Sequence, residues 1–180
     1  MPFTTLDLSK QSGTSLPSSI VTASGLSLGI SGADMWRLNA DLAGSHNPLS
    51  SNLERADDAS FEKIGTGMTQ SSGTWTFPST GIWLVKFNII QFASTASDYV
   101  QGKIHVTQNN SSYDMVAQSI SGASTGYAFN TGICECFVDV TDTSNVKVRF
   151  EVDQANTSNS IRGNSDYQRT TMTFIRLGDT

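Results

Sequence analysis

The residues with the most chemical potential are few and far apart. His46 and His105 are the only histidines among the 180 residues, and neither lies beside a nucleophile motif. Cys134 and Cys136 stand two apart in GICECFVDV. In a strand they would share one face at about 6.5 to 7 Å, too far for ordinary disulfide geometry, and the histidines that might complete a metal site are remote in sequence. They read as two small buried hydrophobes. Glu54, Arg55, Asp57 and Asp58 form the densest acidic cluster. Carboxylate and carbonyl oxygens there could hold calcium, although such a cluster is more commonly a solvated loop. Tyr113, Tyr127 and Tyr167 lie in polar surroundings where aromatic faces could meet a sugar, or could simply pack half-buried. No nucleophile elbow, HExxH pair or phosphate-cradling glycine loop occurs. These residues predict no enzyme, and neither a metal nor a cofactor is expected.

The elements that would have to carry such residues are strands. Residues 73–92 read GTWTFPSTGIWLVKFNIIQF: a short run from Thr74 to Phe77, a Pro78–Gly81 turn, then a long apolar strand from Ile82 to Phe92. That strand is apolar on both faces. Trp83, Val85, Phe87 and Ile89 point one way, while Ile82, Leu84 and Ile90 point the other, diluted by Lys86 and Asn88. An antiparallel sheet normally turns one face to water, so a strand of this kind needs cover on both sides. VKVRFEVD alternates most cleanly, with Val146, Val148, Phe150 and Val152 expected inward and Lys147, Arg149, Glu151 and Asp153 outward. Strands are expected at 35–41, 61–64, 74–77, 81–94, 98–108, 113–121, 126–141, 146–155 and 168–177. About nine antiparallel strands in a domain of this length predict an all-β sandwich, most simply a jelly roll.

Composition supports that reading. The chain carries 26 Ser, 20 Thr, 11 Asn and 15 Gly but only four Glu, which suits short strands and many turns rather than long helices. The net charge of −5 and the scattered Lys and Arg residues argue against nucleic-acid binding. No run is long and apolar enough to span a bilayer, and MPFTTLDLSKQSG lacks the basic start and apolar stretch of a signal peptide. The expectation is synthesis in a cytoplasm, with no membrane partner.

Residues 1–33 differ from the rest: apolar residues are spaced among Ser, Thr and Gly without a sustained period. Leu6, Leu8, Leu16, Ile20 and Val21 are too many apolar residues for a solvated linker. The segment reads as an extended attachment arm ordered by a partner, the alternative being an arm packed only on its own domain. Residues 34–180 form the expected jelly-roll domain.

Phe77, Gly81, Trp83, Val85 and Phe87 resemble the signature of the C1q and tumour-necrosis-factor-like jelly roll, with Trp83 where tyrosine is usual. Thr171 to Leu177 resembles that family's closing strand. MWRLNADLAGSHNPLSSNLERAD, GTGMTQSSGTWTFPSTGIWLV and the ending MTFIRLGDT resemble virion proteins of tailed phages, and LDLSKQSGTSLPSSIV resembles attachment segments of phage fibres and decoration proteins. The C1q-like resemblance implies a homotrimer, which also explains the two-faced strand: its second side would pack around a three-fold axis. Candidate trimer-interface residues are Ile82, Leu84, Ile90, Phe137 and Ile175. Together these readings predict a virion decoration (cement) protein that binds the phage major capsid protein through Leu6, Leu8, Leu16, Ile20 and Val21. The alternative is a receptor-binding or fibre-tip module reading host surface glycans.

Overall fold

The computed structural model describes residues 29–180, so the arm residues Leu6, Leu8, Leu16, Ile20 and Val21 lie outside the described residues. Twelve strands follow: β1 (Ala33–Leu38), β2 (Leu42–Ala43), β3 (Leu53–Arg55), β4 (Thr69–Ser71), β5 (Thr74–Thr76), β6 (Gly81–Ala93), β7 (Ser97–Thr107), β8 (Asp114–Ala123), β9 (Ala128–Val140), β10 (Lys147–Gln154), β11 (Ser160–Ile161) and β12 (Thr171–Gly178). β1 starts at Ala33, one residue before the expected domain boundary.

The strands make two antiparallel sheets. The smaller runs β4-β5-β10-β7-β8. In the larger, β6 has β9 along one side; along the other it has β12 for residues 82–88 and then β11 for residues 91–92, and the sheet continues through β1 to β3. From β5 to β10 the chain changes sheet at every connection except the β7–β8 hairpin, so sheet neighbours come from distant sequence. This is a jelly-roll sandwich.

β-branched and aromatic residues at every second position build the core between the sheets. Trp83, Val85, Phe87 and Ile89 of β6 meet Val148, Phe150 and Val152 of β10 and Phe174 of β12. Rings interlock across the gap, with centroids 5.0 Å apart for Phe87 and Phe150 and 5.3 Å for Trp75 and Phe174. The turn that launches β6 depends on Gly81, whose φ of +134° lies where side chains are rarely found. A Cβ there would sit 2.5 Å from the Gly178 carbonyl oxygen.

Several expectations need correction. Residues 61–64 form no strand; only Ile64 bridges to Ala33. β2, β3, β4 and β11 were not expected, because two or three residues are too few to show a period. Lys147 and Glu151 do leave the core side of β10, yet both are buried. Lys147 Nζ donates to Thr76 Oγ1 and the Thr143 carbonyl, while Glu151 accepts from Lys103 Nζ at 2.7 Å and Asn47 Nδ2 at 2.7 Å, with His105 Nε2 at 2.9 Å.

Candidate functional site

The outer face of the larger sheet is where the second apolar face of β6 emerges. Strand register sets its rows. Ala33, Ile175, Leu84 and Phe137 lie side by side across β1, β12, β6 and β9. The next row on the same face is Met35, Thr173, Lys86 and Glu135, followed by Arg37, Thr171, Asn88 and Ile133. Beyond β12, the face continues as Ile90 beside Thr131 and Phe92 beside Phe129. Ile82 sits at the opposite end, beside Asp139. The fold therefore brings Ile82, Leu84, Ile90, Phe137 and Ile175 onto one surface. It also assigns the faces of β6: Trp83, Val85, Phe87 and Ile89 are core, and the Ile82 side faces away from it.

β6 is flanked on both sides, which leaves Ile82, Leu84 and Ile90 half-buried. β9 is an edge strand, with β6 as its only neighbour in the sheet. Its Phe137 is 72% exposed, Phe129 67% and Ile133 53%. Phe92 connects with this group, its ring centroid 5.2 Å from that of Phe129 and 6.3 Å from that of Tyr127. Sequence reasoning named Phe137 but missed Phe129 and Ile133, although alternation along β9 places all three on one face. β8, which closes the same side of the sandwich from the smaller sheet, exposes Met115, Val116 and Ile120. The two edges approach closely because β7 and β9 have glycines there: a Cβ on Gly132 would lie 2.7 Å from Ser119 Oγ, and one on Gly102 3.1 Å from it. Two long edge strands that each expose apolar side chains invite pairing or packing.

The acidic cluster has another purpose. Glu54, Asp57 and Asp58 converge on Arg37, whose side chain is fully buried, at 3.0, 2.5 and 2.9 Å, and the guanidinium also donates to the Ser165 carbonyl. The cation these carboxylates surround is a guanidinium that β1 delivers from earlier in the chain. Burial alone would push Arg37 down, but its hydrogen bonds and charge contacts with Glu54 and Asp58 outweigh this and hold it above its ordinary pKa. Asp58 is held below its ordinary value of 3.8 by the hydrogen bond from Gln168, against some desolvation, with help from the Arg37 hydrogen bond and charge. No group of three His, Cys, Asp or Glu side chains suited to a metal occurs among the described residues.

Cys134 is buried and Cys136 half-buried, and both thiols are free. Desolvation pushes each up to about 11, so they remain protonated at neutral pH. His105 is engaged with Glu151, and His46 is held where its backbone N–H donates to Val152 O at 2.8 Å. Tyr113 stacks under the Arg149 guanidinium at 3.8 Å, whereas Tyr127 and Tyr167 are exposed.

No protein-family model matches the chain, and no curated protein matches it. Solved structures do. The crystal structure of murine APRIL at pH 5.0 is similar over 81% of this chain and 98% of that one, with a TM-score of 0.58 and 11% identity. Eiger TNF from S. frugiperda is similar over 82% of this chain and 93% of that one, with a TM-score of 0.62 and 16% identity. At such identities the likeness is one of fold: the described residues form a TNF-like jelly roll.

Proposed function

We propose that this chain is a non-enzymatic structural protein of a tailed-phage virion: a decoration or cement protein that assembles as a homotrimer on the capsid surface after synthesis in the host cytoplasm. Its partners on this reading are two further copies of itself and the phage major capsid protein. The observation that supports self-association is the apolar face running from Ile175 through Leu84 to Phe137, continued by Ile133 and Phe129 on an edge strand. Water-exposed aromatic area of this kind is costly to leave open, at about 25 cal/mol per Å². A cyclic assembly of identical copies covers it without leaving a free edge.

The attachment half of the reading rests on the sequence of residues 1–33. A segment of that length, fully extended, reaches on the order of 100 Å, enough to cross a capsomer boundary. Leu6, Leu8, Leu16, Ile20 and Val21 would bury apolar area on capsid subunits, with backbone pairing adding to it. Removing residues 1–28 tests this, because the cut spares every described strand. The truncated protein should retain the assembly state of the full chain in solution but fail to bind capsids stripped of it. Truncated protein that still decorates particles would refute the arm as the attachment element.

A further inference from the structure

The centre of the apolar face is not apolar. A trough of about 530 Å³ crosses β1, β12, β6 and β9, walled by Met35, Leu84, Ile133 and Ile175, and Lys86 and Glu135 both line it. These two are direct cross-strand neighbours on β6 and β9. Even so, neither takes part in an ion pair among the described residues. The smaller sheet offers an internal contrast: Lys103 and Glu151 are also direct cross-strand neighbours, and there the pair closes at 2.7 Å. Glu62 flanks the trough on its β1–β12 side, in a neighbouring hollow shared with Met35, Thr173 and Ile175, and has no ion pair among the described residues. Arg37, on the neighbouring row, is ion-paired with Glu54, Asp57 and Asp58, and Asp139 sits at the far end beside Ile82, without an ion pair among the described residues. Within the trough itself Lys86 and Glu135 are thus one open cation and one open anion, set among Met35, Leu84, Ile133 and Ile175 with Asn88, Thr171 and Thr173.

Covering such a face removes water from both charges, and a charge buried without a partner is strongly unfavourable. A second copy supplies the complement, because each copy brings one of each sign. A head-to-tail ring repeats the same contact at every junction. We infer that Lys86 of one copy pairs with Glu135 of the next, so that this ionic contact sets the register in which the apolar faces meet. The inference rests on the self-association proposed above and specifies the partner as another copy of this chain, held in one orientation.

Charge reversal tests it, with assembly measured by sedimentation equilibrium of the full chain. Lys86→Glu alone and Glu135→Lys alone should each weaken assembly at least tenfold, and the double exchange should restore most of it. The decisive arm mixes the two single variants under different tags. If the contact is between copies, mixed rings satisfy two of three junctions and assemble more tightly than either variant alone. If Lys86 and Glu135 matter only to each other within a chain, mixing gains nothing, and that result overturns the inference. Single variants that assemble like the parent overturn it too, while leaving self-association intact. A monomeric parent protein would remove the self-association reading, and the ionic contact with it. Both side chains lie outside the core, so circular dichroism should show every variant folded.

Discussion

Arg37 illustrates how a single side chain can organise a region that its sequence neighbours do not explain. In the sequence, Glu54, Asp57 and Asp58 suggest a cation site or a solvated loop, and nothing links them to a residue 17 to 21 positions earlier. The link appears only when β3 pairs with β1 and sets Glu54 opposite Arg37. Replacing Arg37 with methionine removes the cation and leaves three carboxylates facing one another. We expect a loss of about 2–3 kcal/mol in unfolding free energy, below the full cost of breaking a buried pair because the carboxylates keep some contact with water. The same network sets an acid limb. Asp58 has a folded pKa below 3.8, so its stabilising contribution is complete above about pH 4 and is lost as pH falls through the lower folded value. Denaturant midpoints across pH 2–5 should fall less steeply for Asp58→Asn than for the parent. Equal slopes would mean that ionised Asp58 does not stabilise the fold.

β6 shows what a strand pattern can reveal and where it stops. Its two apolar faces are plain in the alternation of Trp83, Val85, Phe87 and Ile89 with Ile82, Leu84 and Ile90. Which face is core depends on where β10 and β7 of the other sheet lie, and that is tertiary information. Short strands such as β2 and β11 are invisible for a related reason: β11 exists because β6 offers it hydrogen bonds, and β2 because β11 does, not because their residues prefer extension. The outward burial of Glu151 likewise depends on Asn47, a residue some hundred positions away. The two faces of β6 should respond differently to substitution. Phe87→Ala empties a core site and should cost about 3–5 kcal/mol of stability. Leu84→Asp should leave the thermal midpoint of the isolated fold within a few degrees while abolishing assembly, since it places a charge in the middle of the apolar row. A Leu84→Asp variant that assembles normally would move the interface elsewhere.

At the level of the whole molecule, the jelly roll and its closing side were legible because strands of ten or more residues alternate strongly and turn residues separate them. The outer face of the larger sheet was legible in part: residues that share it on β6, β9 and β12 were named from sequence, and alternation along β9 could have added Phe129 and Ile133, whereas the β8 edge required the two sheets to be seen closing side by side. The arm remains a reading of composition and resemblance, and its role belongs to the particle-binding test. The central claim is that the outer face of the larger sheet is covered by further copies of the chain. The most direct measurement is the solution mass of the purified full chain by light scattering at micromolar concentration. The account predicts a single species at three times the 19.3 kDa of one chain, whereas a stable 19.3 kDa particle at that concentration would contradict it.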